Sequence, residues 1–190
     1  MTALPARKLQ LVEAAIHEIG TTGSLNVTVG QIARRAGVSP ALAFHYFGDK
    51  DRLFLAAMRH ILSIYGEEVR AALKVSATPR TRIEAVIRAS FSPANFRCEV
   101  IAAWLNFYVL AQQSTEARRL LSVYHRRLQS NLTHDLRPLI GERAPNCAQR
   151  LGGLIDGIYL RFAVNPGDTT GHSATAHVLR ALELELEITA

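Results

Sequence analysis

The stretch that decides the fold is TVGQIARRAGVSPALAFHYFGDKDRL, residues Thr28 to Leu53. Thr28 with Gln31 three residues later forms a capping box, so a helix starts at Val29 and runs to about Ala36, where Gly37 supplies the stop. Ser39 is the next cap, with Pro40 at the first helical position, where the missing N–H has no intrahelical partner to lose. That helix ends near Tyr46. Asp49 caps another, which begins at Lys50 and carries Leu53, Ala57, Ile61 and Ile64 on one face to about Lys74. Upstream, Leu9, Val12, Ile16 and Ile19 recur at three- and four-residue steps and predict a first helix from about Pro5 to Thr21, ending at Gly20 and Gly23.

Helix, the three-residue turn Gly37-Val38-Ser39, then helix is the spacing of a helix-turn-helix unit, whose second helix enters the major groove of DNA. Ile32, Ala33, Val38, Ala43 and Phe47 fall inward. Pro40, Ala41, Leu42, Phe44, His45 and Tyr46 are left outside, an apolar and aromatic set that calls for a partner unless Phe44, His45 and Tyr46 are ordinary core. Thymine methyl groups accept apolar contact, phosphates accept Tyr or His donors, and Lys50 at a helix N-terminus reaches a backbone phosphate. With Thr28 and Ser39 at the two caps, these residues form the candidate DNA-binding set.

Thr28, Ile32, Ala33, Ala36, Gly37, Val38, Ser39, Tyr46, Phe47, Lys50 and Leu53 resemble the N-terminal signature of the TetR family of dimeric repressors, over about residues 5 to 65. The resemblance implies that the helix from Pro40 reads operator DNA and that Lys50 contacts phosphate. It also implies that a divergent C-terminal body, residues 66 to 190, binds an inducer and dimerises.

Bulk properties agree with such a division. A chain of 190 residues, 48% hydrophobic, buries one substantial core or a small head plus a larger body. Its 22 Lys and Arg against 16 Asp and Glu give a net charge of +6, which suits a phosphate-rich partner. The positive charge lies away from the C-terminus: residues 1 to 60 hold seven basic and four acidic side chains, residues 142 to 190 four basic and six acidic. Cys98 and Cys147 belong to no C-x-x-C or Cys/His cluster, so neither a metal site nor a disulfide framework is expected. Gln10, Glu13, His17 and Glu18 interrupt the first apolar stretch and no later run approaches a membrane span, which predicts a cytoplasmic chain without a membrane partner. The seven histidines are scattered and no Gly-rich phosphate loop is present, so the sequence offers neither a catalytic constellation nor a cofactor motif.

The rest reads as all-helical. Pro79 opens a helix to about Phe91, Ser92-Pro93 breaks it, and a helix from about Glu99 to Gln113 carries Trp104, Phe107 and Tyr108. Another from Thr115 to Leu136 has the stripe Leu120, Leu121, Tyr124, Leu128, Leu132 and Leu136, a solvated basic face of Arg118, Arg119, Arg126 and Arg127, and a stop before Pro138. Pro145 starts the next helix, which holds LGGLIDGIYLRFAV and ends at Asn165-Pro166-Gly167. The tail LELELEI alternates like a strand, but Ala, Leu and Glu favour a last helix from about Ala174 to Glu187. Gly152, Gly153 and Gly157 fit either a dimer seam formed with that helix or close packing within one chain.

AWLNFYVLAQQSTEARRLLSVYHRRLQSNL and LIDGIYLR resemble the body of the BetI branch, repressors of genes that convert choline to glycine betaine. The recognition helix departs from that branch at Pro40, Ala41, Leu42 and Ala43, where its members usually have Asn-Gly-Ile-Ile. The resemblance implies choline as inducer; the alternative is a TetR-type repressor of an efflux pump or other pathway that senses another lipophilic or cationic molecule. A quaternary ammonium has no donors on its charged group and is held by aromatic faces with a carboxylate nearby. Trp104, Phe107, Tyr108, Tyr124 and Tyr159 are the candidate walls and Asp156 the candidate counter-charge. Against this, aromatics at helical spacing also serve as core, and Asp156 could pair with Arg161 or a dimer partner.

Overall fold

A computed structural model describes residues 5–165, 167 and 170–187. Among these the regular structure is helical: α1 (Ala6–Thr22), α2 (Val29–Arg35), α3 (Pro40–Phe47), α4 (Lys50–Val75), α5 (Pro79–Ser90), α6 (Cys98–Gln113), α7 (Thr115–Ile140), α8 (Ala144–Val164) and α9 (Gly171–Glu187). A single 3₁₀ turn, Gly141–Arg143, joins α7 to α8.

Most boundaries follow the capping chemistry to within a residue. Thr78 adds a capping box at α5 that pairs with Thr81. α1 reaches Thr22, a residue past its expected end, and stops at Gly23, whose φ of 63° is the left-handed conformation that glycine adopts without steric cost. Two ends differ from expectation. α9 begins at Gly171, three residues before Ala174. α7 does not stop before Pro138 but runs on to Ile140, with the proline inside its last turn. Proline removes one N–H and so frees one carbonyl, that of His134, an exposed residue near the end of the helix, where solvent is available to it. The actual stop is Gly141, φ 57°. α9 is helical through LELELE, so the period-two pattern is not a strand; Ile188 and Pro166 lie outside the described residues.

The chain divides into two compact units, residues up to Leu62 with Cys98–Arg118, and Ser63–Arg97 with Arg119–Ala190. In the first, α1 packs on α2, α3 and α6. Leu11, Ile32, Leu53, Ile101 and Phe107 are almost wholly buried there, and each such side chain contributes roughly 1.5–3 kcal/mol. Arg118 lies on the solvated face, exposed, and donates its guanidinium to the last carbonyls of α6, at 3.1 Å from Ala111 O and 2.9 Å from Gln112 O. In the second unit α8 and α5 both pack on α9. Ile83, Ile87, Leu132, Leu136, Leu151, Ile155 and Leu182 form its interior. Asp135, 4% exposed, is held there by Arg82 Nε at 2.8 Å, and Arg82 also donates to Leu73 O at 3.3 Å.

Candidate functional site

The helix-turn-helix is fixed at each joint by local side-chain caps and backbone turns. The Thr28 hydroxyl accepts from Gln31 N at 3.2 Å, and Thr28 N donates to Gln31 Oε1 at 2.7 Å. At the turn, Val38 N reaches back to Ala33 O at 3.0 Å and Gly37 takes φ 65°, a conformation that a side chain would strain. Ser39 Oγ accepts from Leu42 N at 3.2 Å, and Pro40 occupies the first turn of α3. Gly48, φ 80°, closes α3 through its N–H to Phe44 O at 2.7 Å, and Asp49 caps α4 by accepting from Arg52 N at 2.8 Å.

This frame buries Ala43 and Phe47 and leaves the other face of α3 in solvent. Pro40, Ala41, Phe44 and His45 are exposed, Leu42 and Tyr46 half-buried. Phe44 is 51% exposed, so it is not core. The His45 and Tyr46 rings stand 5.7 Å apart, giving the helix an aromatic edge with hydrogen-bonding tips. Thr28 and Ser39 spend their hydroxyl oxygens on the caps. Lys50 Nζ donates to Leu25 O at 3.1 Å and lies 5.6 Å from the centre of the Phe54 ring. Lys8, which sequence spacing did not single out, places its ammonium 5.1 Å from the centre of the Phe47 ring at the end of α3. No periodicity links positions 8 and 47; the packing of α1 on α3 brings them together.

The six candidate effector residues divide between the units. Trp104, Phe107 and Tyr108 are in the first, where Trp104 stands 6.3 Å from Phe107 and 6.1 Å from Tyr108 between ring centres. Phe107 is 1% exposed. Tyr124, Asp156 and Tyr159 are in the second. Tyr124 packs edge-on against Tyr65 at 5.8 Å, and the Tyr65 hydroxyl lies 3.4 Å from Ser90 Oγ. Tyr159 donates its hydroxyl to Ser90 O and sets its ring 5.4 Å from Phe96. Ser90, at the end of α5, therefore gathers two tyrosines from α4 and α8. Burial pushes the Tyr65 hydroxyl up to about 12, with the Asp156 charge adding to the rise against the opposing Ser90 bond.

Asp156 pairs with His125, Nε2 to Oδ2 at 3.5 Å, and not with Arg161. The two flank a groove of about 560 Å³ between α7 and α8, which also takes in Gln129, Gln149, Gly152 and Gly153. A Cβ at Gly152 would meet Leu128 only at 3.8 Å, and at Gly153 and Gly157 it would meet nothing within 4 Å among the described residues. Close packing within the chain therefore does not account for these glycines. Leu160, 54% exposed, and Val164, 70% exposed, extend the same helix with apolar surface. Among the described residues no group of three His, Cys, Asp or Glu could hold a metal ion, and no helix is long and apolar enough to cross a membrane.

Residues 11–57 match the family described as bacterial regulatory proteins, tetR family, and residues 79–187 the BetI-type transcriptional repressor, C-terminal. The HTH-type transcriptional regulator BetI of Brucella anthropi is 51% identical over 183 residues, covering 96% of this chain and 94% of that protein. The chain belongs to the BetI-type transcriptional repressors of the TetR family. A second BetI, from Brucella canis, is 50% identical over 96% of this chain and 92% of its own length. In fold, the chain is similar to a putative transcriptional regulator from Saccharomonospora viridis solved in complex with choline, with a TM-score of 0.81, 22% identity, and coverage of 93% and 95% of the two chains. For a BetI-type repressor, α2 and α3 are the helix-turn-helix of the tetR-type match, and α5 to α9 lie within the BetI-type match.

Proposed function

We propose that this BetI-type repressor binds a near-palindromic operator as a homodimer in the cytoplasm and that choline releases it. The observation that carries the reading is α3: eight residues, capped at both ends, whose Pro40, Ala41, Phe44 and His45 are exposed and Leu42 and Tyr46 half-buried, while Ala43 and Phe47 are buried. In this reading residues 5 to 65 are the DNA-binding head and residues 66 to 190 the effector-binding and dimerising body. Pro40, Ala41, Leu42, Phe44 and His45 meet base edges, while Tyr46, Lys50 and the N-terminal caps Thr28 and Ser39 meet the backbone. One short helix buries too little for specific affinity, and a twofold dimer doubles the contact set. The open Gly153 and Gly157 with Leu160 and Val164 supply a face on α8 for the second copy, which favours the dimer seam over packing within one chain.

In this reading the effector site is formed by Tyr124, Asp156 and Tyr159, joined by Tyr65. A quaternary ammonium there meets three aromatic rings and one carboxylate, and an alcohol end meets the Ser90 hydroxyl. The names of the relatives and the choline held by the Saccharomonospora viridis protein support the choice of ligand. Trp104, Phe107 and Tyr108 remain candidate walls that the same assay tests. Release requires a ligand that prefers the state unable to match the groove spacing, since equal affinity for both states shifts nothing. α4 is the lever, because it is one continuous helix from Lys50 to Val75.

Footprinting on the promoter of the chain's own gene should show two inverted half-sites, and calorimetry with choline followed by a gel shift with and without it tests release. A single half-site bound by a monomer would defeat the dimer. Binding of choline without release would reject the switch, and no binding at millimolar choline would move the effector to another lipophilic or cationic molecule.

A further inference from the structure

The face of α3 that lies outside the core carries almost no group able to read a base by hydrogen bonds. Ala43 and Phe47, four residues apart, mark the buried side of the helix, and Ala41 and His45, also four apart, lie on the opposite side. Leu42 and Phe44 flank that central pair. In the major groove guanine is read by Arg or Lys, adenine by Asn or Gln, and cytosine by Asp or Glu. None of these residue types occurs from Pro40 to Phe47. The arginines nearest in sequence belong to other helices: Arg34 and Arg35 end α2, and Arg52 is in α4. Arg35 is paired with Glu18 and Arg52 with Asp49. His45 and Tyr46 are the two hydrogen-bonding side chains of α3, and the Ser39 hydroxyl before it is engaged at the cap. Thymine is the one base that presents an apolar group in this groove, its C5-methyl, and Ala and Phe are side chains that contact it. Ala41 is small and exposed between Leu42 and Phe44, so a base edge can approach the first turn of the helix there.

We propose that this chain selects its operator chiefly by thymine methyl groups, contacted by Ala41, Leu42 and Phe44, with His45 as the central hydrogen-bonding reader. The proposal rests on the reading that α3 enters the major groove, and it names the class of base that the helix selects. Each methyl removed from water against these side chains raises affinity by roughly fourfold, and paired half-sites on a twofold dimer raise it by about sixteenfold. The protein therefore distinguishes thymine from uracil, which differ only by that methyl and pair alike with adenine. By the same chemistry 5-methylcytosine, which carries its methyl at the equivalent position, replaces thymine in part.

The test uses the full chain and synthetic duplexes of the footprinted promoter site, with thymines replaced by deoxyuridine one symmetric pair at a time. At the pairs under α3, affinity should fall by about sixteenfold, while uracil in the flanks should change nothing. Replacing such a T·A pair by C·G should also weaken binding, and 5-methylcytosine at the same place should recover part of the loss. Phe44→Ala and Leu42→Ala then assign the contacts: each should remove the uracil penalty at one pair and keep it at the others. Phe44 is 51% exposed, so its truncation leaves the core intact, which a melting curve checks. Variants that weaken every duplex by one common factor, with all uracil penalties retained, would overturn the assignment to these side chains. Specific binding that is indifferent to uracil at every pair, or no better with 5-methylcytosine than with cytosine, overturns methyl reading itself. If the wild-type chain does not prefer its promoter site to a scrambled duplex, the reading of α3 as a base-reading helix fails first, and methyl reading falls with it.

Discussion

Replacing Lys50 by Ala separates the brace that its ammonium provides in the first turn of α4 from the proposed phosphate contact. The ammonium braces the segment before α2 by donating to Leu25 O at 3.1 Å, and it has two further N–H donors for a phosphate. Loss of the brace costs about 1.5–3 kcal/mol, the net worth of a hydrogen bond from a charged donor, and lowers the melting temperature by about 3–12 °C in a chain of this size. Loss of the phosphate contact acts on a different observable. Each neutralised phosphate contributes about 0.9 to the slope of log affinity against log salt, so a homodimer that loses two contacts flattens by about 1.8. Between about 50 and 200 mM salt, a fourfold change, wild type should therefore lose roughly twelvefold more affinity than the variant. Anisotropy titrations across salt, on operator and on scrambled duplex, measure both quantities. Lys50→Ala should weaken the two duplexes alike, whereas Leu42→Ala or His45→Ala should erode the preference for operator and leave the slope in place. An unchanged slope with a lower melting temperature would refute the phosphate assignment and reduce Lys50 to a brace. A loss confined to operator would make it a base-reading residue.

Three further outcomes are expected. Arg82→Met strands the buried Asp135 carboxylate and should destabilise the second unit by about 3–5 kcal/mol in urea melts, while adding Asp135→Leu should restore most of it; a single variant as stable as wild type would show the pair to be idle. Tyr65 keeps its proton in the folded chain to about pH 12 against 10 when unfolded, so its contribution is complete below pH 10 and is lost as pH rises to 12. Stability over that window should fall by about 1 kcal/mol per pH unit more steeply in wild type than in Tyr65→Phe, and parallel alkaline melts would contradict the burial of that hydroxyl. Gly157→Leu, at a position with open space around it, should leave the protomer folded but convert the dimer to monomer in sedimentation and abolish specific operator binding; a dimeric variant would place the seam elsewhere.

What sequence reveals here is set by the range of the interactions involved. Thr28 with Gln31, Ser39 with Pro40, and Asp49 act within four residues, so the head was legible almost to the residue, including which face of α3 stays uncovered. The helical period of α7 was equally plain, and its end was misplaced only because the proline rule describes helix interiors: at Pro138 the freed carbonyl belongs to an exposed residue of a penultimate turn. Register between helices is another matter. Asp156 and His125 are 31 positions apart and meet because α7 and α8 flank one groove, and nothing in either helix alone chooses His125 over Arg161. The same holds for Tyr65, which joins Tyr124 and Tyr159 at Ser90 through contacts that span 25 to 69 positions.

Gly20 shows why such contacts are hidden. In a sequence, glycine near the end of a helical pattern signals a stop, and Gly23 at φ 63° is one. Gly20 keeps helical geometry, and its missing side chain serves a neighbour 79 positions away. Both uses exploit the absence of Cβ, one to reach a backbone conformation and the other to admit a second backbone, and only the first leaves a local signature. The aromatic residues of α6 carry the same ambiguity: their spacing says that Trp104 and Phe107 are buried without saying in which core. Trp104, Phe107 and Tyr108 belong to the first unit and Tyr124, Asp156 and Tyr159 to the second, a division that the helical spacing within α6 does not carry.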